Sequence, residues 1–82
     1  MTILEEAQRL VYGERGERYG HPLEDFGCTA HLWSGILGVP LTAEQVGLCL
    51  IALKLSRQTT QHHRDNLVDI AGYAEPLQRI AD

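Results

Sequence analysis

The stretch from Thr42 to Leu55, TAEQVGLCLIALKL, decides the fold of this 82-residue chain. It opens with a capping box, in which the side chains of Thr42 and Gln45 satisfy exposed backbone N–H groups at a helix start. The long apolar run that follows could form a buried strand, but its length and the capping box favour a helix. A helix that is apolar on nearly every side must be covered by its neighbours. The sequence therefore predicts a central helix over residues 43–57, the most buried of the fold.

Three further helices are predicted on either side of this one. Thr2 and Glu5 form a second capping box, and Pro22 after His21 suits a first helical position. Pro76 lies inside the last apolar pattern and predicts a kink or an end near Glu75. The predicted spans are residues 3–12, 22–36 and 64–79. Since no stretch alternates like a strand with hairpin signals, we expect an all-α protein: one domain over residues 1–82, a compact bundle of about four helices.

Composition excludes several classes of protein. Eleven acidic and seven basic residues give a net charge of −4, which excludes a generic basic nucleic-acid binder. No apolar run approaches the ~20 residues that a membrane span needs, and the acidic N-terminus does not resemble a signal peptide. Cys28 and Cys49 match no zinc spacing and are expected to be reduced core residues. These features predict a cytoplasmic protein without a membrane or nucleic-acid partner.

The apolar surplus of the last two helices predicts an oligomer. Four short helices have little surface with which to cover a helix that is apolar all round. Small domains commonly solve this problem by sharing surface across a symmetric dimer. We therefore expect a homodimer.

Two groups of polar side chains are candidates for binding a ligand. Lys54 and Arg57 are three residues apart, on one face of the end of the third helix. Asp65, Asp69 and Tyr73 are spaced four and four apart, along one face of the fourth helix. Carboxylates with waters and phosphate oxygens suit Mg²⁺, and the two cations suit phosphate. The pattern predicts a nucleotide-like phosphate ligand with magnesium.

The loop before the second helix supplies further candidates. His21 is the predicted proton-transfer group, because its ordinary pKa lies near neutrality. Tyr19 or Tyr73 could stack on a base, Arg64 could neutralise phosphate charge, and Asp25 could complete the metal set. We expect five residues to converge in one cleft, where this loop meets the end of the third helix and the start of the fourth. They are His21, Lys54, Arg57, Asp65 and Asp69.

Each candidate also has a structural explanation. Asp65 could cap the fourth helix. Asp69 could pair with Lys54 or Arg57 between two antiparallel helices. His21 could be the N-cap of the second helix. For each residue, the sequence leaves both ligand binding and the structural role open.

Three segments resemble a family of small bacteriophage proteins of unknown function, from actinobacterial phages. The segments are YGHPLEDF at 19–26, LKLSR at 53–57 and RDNLVDIAGYA at 64–74. More distantly, their order is similar to phage nucleotide-modification-associated domains and to MazG-type all-α nucleotide pyrophosphatases. That resemblance implies a helical, usually dimeric enzyme that cleaves nucleoside triphosphates, with magnesium held by four acidic residues.

This chain departs from the MazG-type pattern of Glu-x-x-Glu followed by Glu-x-x-Asp. Its Glu-x-x-Glu, Glu14 to Glu17, is interrupted by Gly16, and Asp65 and Asp69 are four apart rather than three. Three functions therefore stay open. They are a magnesium-dependent nucleotide pyrophosphatase, a non-catalytic nucleotide sponge, and an inhibitor that binds a host protein through an acidic helical surface in the host cytoplasm.

Overall fold

The computed structural model describes residues 1–14, 18 and 20–82, and within them the chain forms four α-helices and no strand. The helices are α1 (Ile3–Arg9), α2 (Pro22–Leu37), α3 (Ala43–Thr60) and α4 (Arg64–Ala81). A short π-helical turn, Leu10–Glu14, follows α1. The all-α prediction is confirmed. None of the described helices is both long and apolar enough to cross a membrane.

The predicted helix starts are confirmed at the level of single hydrogen bonds. The Thr2 N–H donates to Glu5 Oε1 at 2.9 Å, and the Thr2 hydroxyl accepts from the Glu5 N–H. The same reciprocal pair joins Thr42 and Gln45 at the start of α3. The backbone hydrogen bond from Thr2 lowers the pKa of the Glu5 carboxyl, because it favours the charged form. Local sequence alone therefore sets where these helices begin.

The helix ends differ from the predicted ones. The first α-helix stops at Arg9 and gives way to the π-helical turn, while α3 extends to Thr60. Of the two alternatives predicted near Glu75, a kink or an end, the end is wrong, because α4 continues through Pro76 to Ala81. Pro76 is buried, so packing of its ring offsets the backbone hydrogen bond that proline cannot donate.

The helix at the centre of the fold is α4, which packs against all three others. It runs antiparallel to α3: Lys54 pairs with Asp69, and Leu77 lies beside Gly47. It runs parallel to α1, since Glu6 contacts Arg64 and Tyr12 contacts Glu75. The Tyr12 hydroxyl donates to Glu75 Oε1 at 2.8 Å, which raises the pKa of the phenol.

The prediction that the third helix is the most buried is wrong. Within α3, Val46 and Gly47 are buried, whereas the apolar side chains of Leu48, Leu53 and Leu55 are exposed. The reason is topological. The described neighbours of α3 are α2 and α4, because α1 packs on α4 instead. The cysteines are free, as expected, but exposed rather than in the core.

The main core cluster lies where α2 crosses the α3–α4 hairpin. Phe26, Ala30 and Val46 are buried there, and partly buried Trp33 and Tyr73 pack against them. The crossing involves the first half of α3 and the second half of α4. The other end of the hairpin, where α3 ends and α4 begins, carries most of the candidate polar residues.

Candidate functional site

The centre of the candidate site is an ion pair between α3 and α4. Lys54 Nζ lies 2.7 Å from Asp69 Oδ2, and the two side chains are 18% and 32% exposed. This confirms the expectation that antiparallel packing brings Lys54 level with Asp69. It also fits the structural explanation, in which Asp69 joins two helices. Partial desolvation makes such a pair stronger than a fully exposed one.

Arg57 and Asp65 flank this pair on the side of the α3–α4 connection. Both side chains are exposed. Among the described residues, neither forms an ion pair or a side-chain hydrogen bond, including with the other. Asp65 does not cap α4: the N-cap is His63, and no side chain caps this helix. The capping explanation for Asp65 is therefore wrong, and Asp65 lies in the first turn, where the helix dipole favours an acid.

Arg64 is bound to the protein itself. Its Nε donates to Glu6 Oε2 at 3.1 Å, and its Nη2 donates to the carbonyl oxygen of Met1 at 2.7 Å. The guanidinium therefore joins the beginnings of α1 and α4. This role depends on the parallel packing of those helices, which places their N-terminal ends together.

Tyr73 and His21 both occupy structural positions. Tyr73 is partly buried beside Phe26, with ring centroids 6.4 Å apart. His21 is the N-cap residue of α2, and its ring Nδ1 accepts a hydrogen bond from the Leu23 N–H at 3.0 Å. This confirms the structural explanation for His21. Asp25 lies in the first turn of the same helix. Tyr19 lies outside the described residues.

Among the residues expected to converge in one cleft, Lys54 and Asp69 form a direct ion pair. In the described part of the chain, no hydrogen bond or ion pair connects His21 or Asp25 to that pair. No group of three or more His, Cys, Asp or Glu side chains is placed to hold a metal ion among these residues. The predicted set of Asp25, Asp65 and Asp69 does not form such a group; Asp25 lies on α2 and the other two on α4.

Two polar residues near the hairpin turn have a role that the sequence analysis missed. Asn66 is buried, and its Nδ2 donates to Gln58 Oε1 at 3.1 Å. The same oxygen accepts from the His63 N–H, while Gln58 Nε2 lies 2.7 Å from His62 Nδ1. Gln58 thus fixes the connection between α3 and α4. The sequence feature that could have indicated this role is a glutamine in the last turns of one helix, shortly before an asparagine in the first turn of the next.

Exposed apolar side chains are a more prominent feature than the polar cluster. One group lies on the side of α2 away from the core, which we call the α2 outer face: Cys28, Leu32 and Ile36. All three are exposed; Leu32 is 65% and Ile36 81% exposed. Their spacing of four and four follows one side of a helix. Since contiguous exposed apolar patches are typical of surfaces that contact other molecules, this face is a candidate contact surface.

Fold and surface together define a small helical domain with open apolar faces, and comparison with known proteins identifies its family. The chain belongs to the family described as a domain of unknown function (DUF6378), whose model matches residues 2–81. It is 46% identical over 80 residues to the Gene 55 protein of Mycobacterium phage D29, and 38% identical over 82 residues to that of Mycobacterium phage L5. The predicted membership of a phage family is confirmed.

These alignments cover 96% and 98% of this chain but 53% of each relative. The chain therefore spans about half the length of the curated relatives it matches. No solved structure matches it.

Proposed function

We propose that this phage protein acts by binding a host protein through the α2 outer face. The observation that supports the proposal is the exposure of Leu32 and Ile36 on a helix whose opposite side forms the core. Fully burying a Leu or Ile side chain is worth about 1.5–3 kcal/mol. An amphipathic helix that leaves two such side chains in water keeps that free energy available for a partner.

The chemistry of the partner follows from the charges around this face. Glu24 and Asp25 lie in the first turn of α2, at one end of the apolar side chains, and the whole chain carries a net charge of −4. A complementary partner has an apolar groove bordered by Lys or Arg. Apolar helix faces bind grooves in this way, and charge complementarity speeds the association.

The test compares the wild type with the double variant Leu32→Asp/Ile36→Asp. Leu4→Asp is the matched control, because Leu4 is an equally exposed apolar residue on α1. Each protein is immobilised and exposed to a mycobacterial lysate, and bound proteins are quantified by mass spectrometry. We expect one host protein to be retained by the wild type and the control, and depleted at least ~10-fold by the double variant, equivalent to ~1.4 kcal/mol.

The candidate host protein is then purified and its affinity measured directly at low and high salt. Binding that weakens with salt is expected for a basic rim on the partner. The proposal fails if the double variant retains the same host proteins as the wild type.

Binding of a nucleotide or another phosphate ligand is a second candidate function. It is favoured by the exposed side chains of Arg57 and Asp65 beside the Lys54–Asp69 pair, which have no partner among the described residues. The order of the sequence motifs, which resembles that of MazG-type pyrophosphatases, implies the same ligand class. In this proposal Lys54 and Arg57 hold phosphate oxygens, and the aspartates on α4 bind Mg²⁺. The protein then works either as a pyrophosphatase or as a sponge.

Asp69→Asn tests the second candidate. If the site binds nucleotides, a nucleoside triphosphate with Mg²⁺ raises the melting temperature of the wild type but not of the variant, because ligand binding stabilises the folded state. Glu44→Gln is the control, since it removes one exposed carboxylate from the start of α3. Thermal melting is followed over a panel of nucleotides, and phosphate and pyrophosphate release separates the enzyme from the sponge. A wild type whose melting temperature no nucleotide shifts rules out this candidate.

A further inference from the structure

A second exposed apolar surface lies on α3 and is separate from the α2 outer face. It follows the side of the helix away from the core, which we call the α3 stripe: Gln45, Leu48, Ala52, Leu55 and Thr59. All five residues are exposed, and Leu48 and Leu55 keep 51% and 52% of their surface in water. The spacing of three, four, three and four residues is that of a coiled-coil seam.

We propose that the α3 stripe forms a homodimer by packing antiparallel against the α3 stripe of a second copy of this chain. The proposal assigns an occupant to this surface alone and does not depend on the host-binding role of the α2 outer face.

The total solvent-accessible surface of the chain supports an interface with a second copy. A monomeric protein of 9.2 kDa is expected to expose about 4,900 Å², whereas this chain exposes 5670 Å². The excess, about 770 Å², is close to the ~800 Å² that each partner buries in a standard interface. The radius of gyration agrees: it is 13.2 Å, against about 11.7 Å for a compact domain of this length.

The sequence of the stripe favours a second copy over an unrelated partner. A two-fold interface must be self-complementary, so that residue i contacts residue j and j contacts i. The stripe is nearly symmetric about Ala52, with Leu48 and Leu55 on either side and polar Gln45 and Thr59 at its ends. Antiparallel packing therefore places Leu48 against Leu55 of the second copy, twice, while the small Ala52 lets the two helices approach.

The distribution of charge distinguishes this surface from the α2 outer face. The α3 stripe has no charged member, so self-association places no like charges against each other. An antiparallel pair of α2 faces would instead set Asp25, near one end, against the apolar Ile36 at the other. The α2 outer face therefore suits a different protein, and the α3 stripe suits itself. Each copy carries a charge of −4, so added salt is expected to strengthen the dimer.

The experiment uses two single variants whose changed residues meet in the proposed register. Leu48→Glu and Leu55→Lys are each expected to weaken dimerisation at least ~10-fold, equivalent to ~1.4 kcal/mol, because each puts charges into the apolar centre of the interface. An equimolar mixture is expected to recover a dimer. In the heterodimer, the new glutamate of one copy meets the new lysine of the other, so an ion pair replaces one leucine pair while the second leucine pair remains intact.

Molar mass is measured by light scattering and analytical ultracentrifugation at concentrations up to about 200 µM, and circular dichroism checks that each variant is folded. Leu32→Glu, on the α2 outer face, is the matched control and is expected to dimerise like the wild type. A wild type that stays at 9.2 kDa overturns the proposal. So does a Leu32→Glu variant that dissociates while Leu48→Glu does not, and so does a mixture that remains monomeric.

Discussion

Phe26→Ala is expected to lower the free energy of unfolding by about 3–5 kcal/mol. The Phe26 side chain is 3% exposed and lies where α2 meets both helices of the hairpin, against Val46 and Tyr73. Its removal leaves a cavity bordered by three helices, which cannot all move inward at once. Domains of this size have only about 5–15 kcal/mol of total stability, so the variant is expected to lose a large part of it.

Urea denaturation followed by circular dichroism measures the effect. Leu23→Ala is the matched control, because Leu23 lies on the same helix but is exposed. Its cost is expected to stay below about 1 kcal/mol, as for most surface substitutions. If Phe26→Ala costs no more than the control, the described crossing of α2 over the hairpin is wrong.

The local features of the fold were predictable from the sequence because their physical causes are local. The capping boxes at Thr2 and Thr42 are satisfied within one helical turn, so they need no knowledge of the tertiary structure. Gly38 likewise ends α2 in the left-handed conformation, at φ 74°. The predicted fourth helix, residues 64–79, already included Pro76, but the burial of its ring was not predictable, since it is a tertiary effect.

The identity of the central helix was not predictable from hydrophobicity alone. An apolar helix such as α3 indicates that something covers it, but not whether the cover comes from the same chain. Here α1 packs beside α4, so the outer side of α3 stays open around Leu48 and Leu55. The sequence predicted a dimer from the same apolar surplus, and the structure adds which face is available for it.

The candidate site shows the same division between local and long-range causes. The Lys54–Asp69 pair was predictable, because a short connection makes α3 and α4 antiparallel neighbours. The Arg64–Glu6 pair was not, since its two residues are 58 positions apart and meet only because α1 runs parallel to α4. Arg64, a predicted phosphate-binding residue, thus has a structural role that its spacing from other residues along the chain does not indicate.

After Phe26→Ala, the largest effect on the free energy of unfolding is expected from adding a side chain at Gly47. Gly47 lies inside α3, where a glycine costs about 1 kcal/mol relative to alanine, so its presence there has a packing reason. A Cβ at this position would lie 2.5 Å from Leu77 Cδ2 and 3.3 Å from Phe26 Cε2. The Leu77 and Phe26 side chains therefore occupy the space that a side chain at position 47 would need.

Gly47→Val is therefore expected to lower the free energy of unfolding by about 3 kcal/mol, because overpacking of a full core costs about 1–3 kcal/mol or more and valine gains little helix propensity. Gly47→Ala is expected to cost less, since about 1 kcal/mol of helix propensity offsets part of the clash. Gly35→Ala is the control: a Cβ at Gly35, on the exposed side of α2, has no atom within 4 Å, and the change is expected to stabilise the protein by about 0.5–1 kcal/mol.

A double-mutant cycle with Leu77→Ala identifies the cause of the Gly47 effect. If the Leu77 side chain is what a new Cβ meets, the double variant Gly47→Ala/Leu77→Ala loses less stability than the two single changes added together, by at least ~0.5 kcal/mol. Urea denaturation of the four proteins measures this coupling. Strict additivity would place the Leu77 side chain away from Gly47 and would contradict the antiparallel packing of α4 on α3, on which both the Lys54–Asp69 pair and the outward orientation of the α3 stripe depend.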